Sequence, residues 1–115
     1  MSKREWKLYV EDILESIELI IKYVEDMGFD DFENDRKTID AVVRNFEVIG
    51  EASKYIPDDV KRKYQEVDWK GIVGFRNRIV HEYFNISLST VWHIIKDELP
   101  TLGKQMNLIL KENEK

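Results

Sequence analysis

Seven apolar residues toward the C-terminus, Leu88, Trp92, Ile95, Leu99, Leu102, Met106 and Ile109, recur at steps of four and three, straight through Pro100. That period puts them on one face of an α-helix. A stripe that keeps its phase across a proline predicts one long helix kinked there, because the ring removes a backbone donor and crowds the carbonyl four residues earlier. The N-terminal stretch repeats the pattern. Trp6, Val10, Ile13, Leu14, Ile17, Ile20, Ile21 and Val24 share one face of a helix over about residues 4–27, with Gly28 as its stop. No pair of strands is credible anywhere in the chain, so the fold class is all-α.

The middle of the chain fills in the other elements. Gly28 to Asp35 is polar and reads as a loop, and Asn34 or Asp35 can cap the next helix. That helix carries Ile39, Val42, Val43, Phe46 and Ile49 on one side, with Gly50 and Ser53 small enough for another helix to approach closely. It ends at Ile56-Pro57, because the residue before a proline disfavours the α region. Pro57 opens a short helix to about Gln65, with Asp58 and Asp59 favourable against the helix dipole. Asp68 caps a fourth main-chain segment of helix ending near Phe84, Asn85-Ile86-Ser87 makes a turn, and Ser87 or Ser89 caps the last helix. The expected architecture is an antiparallel four-helix bundle with one additional short helix, a single domain over residues 1–115.

Composition narrows the function. The chain has no cysteine, which removes disulfides and thiolate metal sites. No apolar run is long enough to span a membrane, and the charged N-terminus is no signal peptide, so a cytoplasmic protein without membrane contact is expected. The net charge of −5 argues against generic nucleic-acid binding. Its distribution says more. Residues 1–53 carry 7 basic and 14 acidic side chains, residues 54–81 carry 7 and 4, and residues 82–115 carry 4 and 5. The one positive segment contains the basic run Lys61-Arg62-Lys63, a solvated helix face or a set of phosphate contacts, and it ends at His81.

The segment Gly74-Phe75-Arg76-Asn77-Arg78-Ile79-Val80-His81-Glu82-Tyr83-Phe84 concentrates the chemistry-bearing side chains. On a wheel of about 100° per residue, Ile72, Val73, Ile79, Val80 and Tyr83 fall within roughly 60° of Arg76. Arg76 therefore sits in the middle of the apolar face, where a guanidinium needs a partner. Gly74, Asn77 and His81 form a second arc about 100–160° away, with Asn77 and His81 an i, i+4 pair and Arg78 beside them. Arg76 is either the partner of a carboxylate such as Glu47 or Glu51, or an arginine held in a cleft and aimed at an anion; spacing does not separate the two. His81 near a helix C-terminus can stabilise that end through the dipole, or exchange protons near neutral pH. His93 lies off the apolar stripe and reads as surface. Two histidines on different helices and no cysteine argue against a zinc site, and no metal or cofactor is expected. Tyr83 returns to the Arg76 face, where packing or modification would suit it.

Arginine with histidine and no metal suits phosphodiester chemistry on RNA, whose 2′-hydroxyl is an internal nucleophile. A histidine can take its proton or protonate the leaving oxygen, and an arginine can stabilise the extra charge at phosphorus. Asn77 and Arg78 would support the histidine or a phosphate oxygen. A homodimer would supply two such sets, and Gly74 would ease the approach of two helices.

Arg76, four residues, His81, one residue and Tyr83 resemble the Arg-x4-His-x-Tyr motif of HepT-type toxins, helical-bundle ribonucleases of the HEPN superfamily. The segment Arg44-Asn45-Phe46-Glu47-Val48-Ile49-Gly50-Glu51-Ala52 is similar to that family's Asn-x-Glu-x-Ile-Gly-Glu-Ala stretch, and Gly71-x-x-Gly74-Phe75-Arg76-Asn77 and Trp92…Leu99-Pro100 match as well. The resemblance implies a HEPN-like bundle working as a homodimeric, metal-independent ribonuclease on RNA, including tRNA, with Arg76 and His81 as the catalytic pair. It also implies a nucleotidyltransferase antitoxin of the MNT type, which would neutralise the toxin by complex formation and by adding AMP to Tyr83. The rival expectations are a non-catalytic bundle that serves a nucleotidyltransferase as partner or substrate-binding module, and a structural dimerisation protein in which Arg76 only makes an ion pair.

Overall fold

The computed structural model describes residues 5–82 and 86–114, and among them the regular structure is entirely helical. Helix α1 spans Trp6–Val24, α2 Phe29–Glu33, α3 Arg36–Lys54, α4 Asp58–Lys63 and α5 Trp69–Glu82. The last rod is α6 (Leu88–His93), a π-helical turn over Ile94–Glu98, and α7 (Leu99–Glu112). Packing runs α5 on α3, α3 on α1 and α1 on α7. The all-α bundle of four long rods agrees with the sequence, with two short helices, α2 and α4, instead of one.

The apolar stripes meet as their period requires. Val10, Ile13, Ile17 and Ile20 of α1, Val42, Phe46 and Ile49 of α3, and Ile95, Leu99, Met106 and Ile109 of the last rod are all buried. Three details depart from the sequence expectation. First, α1 ends at Val24 rather than near residue 27, and Gly28 has φ −93°, so it is no left-handed stop. It heads α2 instead, its N–H donating to Asp31 Oδ2 at 3.0 Å. The polar look of residues 28–35 hid an apolar anchor: Phe32 is fully buried and its ring lies 5.2 Å from that of Trp92. Second, Ile21 is 38% exposed although it belongs to the predicted stripe; the Ile17–Ile20–Val24 seam already fills the face toward α3 and α7. Third, the last rod adapts before Pro100 rather than at it. Pro100 offers no N–H to the Lys96 carbonyl, and the widened π turn over Ile94–Glu98 absorbs that loss while the stripe stays in register.

The predicted caps divide. Asp68 Oδ1 accepts from Gly71 N–H at 3.0 Å at the head of α5. Ser87 stands at the head of α6 but turns its hydroxyl to that of Ser89, 2.6 Å away. Asp35 caps α3, accepting from Thr38 N–H at 3.1 Å and from the Thr38 hydroxyl at 2.8 Å. The Thr38 backbone bond, then its side-chain bond, hold the Asp35 carboxyl below its usual value. A depressed folded value means that Asp35 stabilises the protein above about pH 4 and that the contribution is lost as pH falls through the folded pKa. Asp35→Ala should therefore lower Tm at neutral pH, and the gap from wild type should close in melts taken toward about pH 2.

The segment between α4 and α5 is pinned to α7. Tyr64 donates through its hydroxyl to Glu112 Oε1 at 2.7 Å, Trp69 Nε1 donates to the Tyr64 carbonyl at 3.1 Å, and Gln105 Nε2 donates to the Glu66 carbonyl at 3.3 Å. These bonds fix where α5 begins, and so where its functional side chains stand.

Candidate active site

Helix α5 lies on the flank of α3, and only part of its apolar face is covered. Ile79 is buried, and Ile72 and Phe75 pack against the core, the Phe75 ring edge-on to Phe46 at 5.0 Å. Val80, on the same face of the predicted wheel, is 42% exposed. The buried seam is thus narrower than the sequence implied, and Arg76 sits on it, its side chain 23% exposed.

Arg76 is seated on the Gly50-Glu51 pair of α3. Its Cβ and Cγ occupy the space that a side chain at Gly50 would need. Its Nη2 lies 3.0 Å from Glu51 Oε2, and its Nη1 donates to Asn77 Oδ1 at 3.1 Å. Of the two carboxylates the sequence offered as partners, Glu51 makes the pair. Lys54 Nζ approaches the same Glu51 oxygen at 3.8 Å. With Glu51 partly exposed, the Arg76 pair is worth on the order of 1 kcal/mol. The Arg76 Nε is enclosed without an acceptor. A guanidinium carries five N–H donors. Among the described residues, Glu51 and Asn77 each take one and the enclosed Nε holds one, which leaves one N–H on each terminal nitrogen.

The bond to Asn77 bears on how the two arcs of α5 relate. It draws the guanidinium off the apolar seam toward the arc of Gly74, Asn77 and His81. Asn77 is exposed, and His81 is exposed on the last turn of α5, one turn further along the Asn77 face. Arg78 is also exposed. Tyr83 lies outside the described residues.

Gly74 and Asn77 open onto a shallow groove of about 1010 Å³ between α4 and α5. Lys54, Lys61, Arg62 and Lys70 line it, as do Asp58, Glu66 and Asp68. Lys61 and Arg62 of the basic run thus face the groove, whereas Lys63 turns away and places its Nζ 5.5 Å from the Tyr64 ring. A second cleft of about 350 Å³, lined by Phe46, Ile49, Phe75 and Leu102 among others, lies between α3, α5 and the last rod, and Arg76, Asn77, Arg78 and His81 are not part of its lining. His93 is exposed, as the sequence indicated, with Nδ1 2.6 Å from Asp97 Oδ2. Among the described residues, no group of three or more His, Cys, Asp or Glu side chains could hold a metal ion. None of their helices is long and apolar enough to cross a membrane.

Sequence reasoning missed the seat under Arg76 and the place of Lys54. The small residue at Gly50 did signal a close approach, but nothing in the sequence said that the approaching atoms would be those of Arg76.

A family model described as "Ribonuclease HepT-like" matches residues 13–109, a stretch that contains the whole of α5. A "Probable ribonuclease HepT" of Thermococcus cleftensis is 43% identical over 109 residues, which is 95% of this chain and 99% of that protein. A "Putative RNase" of Methanocaldococcus jannaschii is 40% identical over 114 residues, covering 99% of this chain and 94% of that protein. A "Putative RNase" of Caldanaerobacter subterraneus is 39% identical over 106 residues, or 92% of this chain and 95% of that one. No solved structure matches the chain at a significant level. With a fold, a motif helix and relatives that agree over nearly its full length, the chain belongs to the HepT-like ribonuclease family.

Proposed function

We propose that the protein is a metal-independent endoribonuclease, the toxin of a HepT/MNT toxin–antitoxin pair, with Arg76 and His81 as its catalytic residues and tRNA or mRNA as substrate. The observation that carries this reading is the Arg76–Asn77 bond at 3.1 Å. It turns the arginine toward the helix face on which His81 follows one turn later. In the reaction, the 2′-oxygen bonds to phosphorus as the bond to the 5′-oxygen breaks. One imidazole takes the 2′-hydroxyl proton and an imidazolium gives one to the 5′-oxygen. The free N–H groups of Arg76 stabilise the charge on the phosphoryl oxygens, and Arg78 holds a neighbouring phosphate.

One motif histidine per chain serves one proton at a time. A homodimer supplies the second. A nucleotidyltransferase antitoxin of the MNT type would switch the enzyme off by adding AMP to Tyr83. That adduct would place bulk and negative charge two residues from His81, against the binding of another anion.

Purified protein incubated with tRNA in excess EDTA should cut it, leaving a 2′,3′-cyclic phosphate and a 5′-hydroxyl. Cleavage that stops with EDTA and returns with a divalent ion would refute the metal-independent mechanism. The Glu51 ion pair favours one other reading, a structural dimerisation protein in which Arg76 only makes that pair. A protein that cuts no RNA under any of these conditions fits that reading.

A further inference from the structure

We infer that the groove between α4 and α5 holds a single strand of the RNA substrate by its phosphates, with Lys61, Arg62 and Lys70 as the contacts and Gly74 as the open floor that lets the strand reach Asn77; the inference rests on the ribonuclease reading. Three independent features point there. The first is continuity. Lys70, Gly74 and Asn77 stand on successive turns of α5 along the groove, and His81 follows on the next. A strand lying in the groove therefore runs straight onto the candidate catalytic residues.

The second is charge in an otherwise acidic protein. No ion pair among the described residues engages Lys61, Arg62 or Lys70. Lys61 Nζ is steadied 6.0 Å from the Trp69 ring centroid, at the outer limit of a cation–π contact. Asp58, Glu66 and Asp68 also line the groove and keep their charge, Asp68 while it caps α5, so the four cations of the lining exceed its anions by one. Lys54 is drawn to Glu51 and is not counted among the contacts.

The third is Gly74. An exposed glycine in the middle of a helix costs about 1 kcal/mol relative to alanine. Most buried or crowded glycines repay that with close packing, yet a Cβ at Gly74 would meet nothing within 4 Å. Nothing within the described chain requires the residue to be bare, and a strand lying across it would. Sequence-specific recognition of RNA falls mostly on single-stranded regions, whose bases are free to be read.

The test uses the full chain, a labelled single-stranded RNA and fluorescence anisotropy over a range of salt, in the His81→Ala background so that the probe survives. Cleavage of tRNA is measured in parallel in the wild-type background. The double variant Lys61→Gln/Arg62→Gln should bind about tenfold more weakly, and the slope of log affinity on log salt should flatten by about 1.4, since each phosphate contact to a single strand contributes roughly 0.7. Gly74→Gln, which places a helix-compatible side chain in open space, should weaken binding to a similar extent with Tm retained. Lys104→Gln/Lys111→Gln removes the same charge from exposed positions on α7 and should change affinity less than twofold. Groove variants indistinguishable from the α7 control, in an enzyme that still cuts RNA, would overturn the inference alone. A wild-type protein that neither binds nor cuts RNA would overturn the ribonuclease reading and the inference with it.

Discussion

His81→Ala should lower RNA cleavage by at least about 10²-fold, the lower end of what a positioned acid or base contributes, while leaving Tm within a degree or two of wild type. The side chain is exposed on the last turn of α5, so its loss opens no cavity. The same experiment on Arg76 needs a gentler substitution. Arg76→Ala would strip the partner from Glu51 and leave a gap against Gly50, so lost activity would be confounded with lost packing. Arg76→Lys keeps the charge and most of the stem but loses the planar fork that reaches Glu51 and Asn77 together. It should fold, bind RNA within a few-fold of wild type, and cleave at least about tenfold more slowly, because the lost interaction acts on the developing charge. Single-turnover rates and melts of both variants would decide. Full cleavage by His81→Ala would remove that residue from the mechanism, and full cleavage by Arg76→Lys would reduce Arg76 to a structural ion pair.

The sequence revealed most where local physics governs. Asp35 and Asp68 cap the helices they were expected to cap, and the Leu88–Ile109 stripe remains inside through the proline. It revealed less where the answer depends on what a second element does. The helix α2 escaped notice because only two of its five residues are apolar and its stability comes from Phe32 against Trp92, a partner sixty residues away. Ile21 and Val80 fit their stripes by angle but face outward, because angle on a wheel does not say how wide the covering neighbour is. The choice between Glu47 and Glu51 turned on one helical step of α3 relative to α5, which no periodicity encodes. The basic run was visible as a run, but that Lys61 and Arg62 face a groove while Lys63 does not depends on how α4 rests beside α5.

Gly50 offers the sharpest test of that α3–α5 contact, and Gly74 supplies its control. Both glycines sit inside helices, and neither has a positive φ, so neither is required by backbone conformation. Replacing either by alanine should stabilise its helix by about 1 kcal/mol if nothing else changes. At Gly74 nothing else does, since the new methyl group meets no atom within 4 Å, and Gly74→Ala should raise Tm. At Gly50 the methyl group runs into Arg76 Cβ and Cγ, with the Ile72 carbonyl 3.4 Å away. Those atoms lie at the root of the arginine and on the backbone of α5, so a rotation at the side-chain tip cannot relieve the clash. The helices must part, at a cost of about 1–3 kcal/mol that exceeds the propensity gain. Gly50→Ala should therefore lower Tm by several degrees, where its twin raises it. It should also slow cleavage, by as much as about 10²-fold, because Arg76 is displaced from Glu51 and Asn77, and a misplacement of about 1 Å carries a penalty of that size. Melts of the two variants side by side give the decisive comparison. If Gly50→Ala stabilises as much as Gly74→Ala does, then α3 and α5 are not in the close contact that seats the arginine.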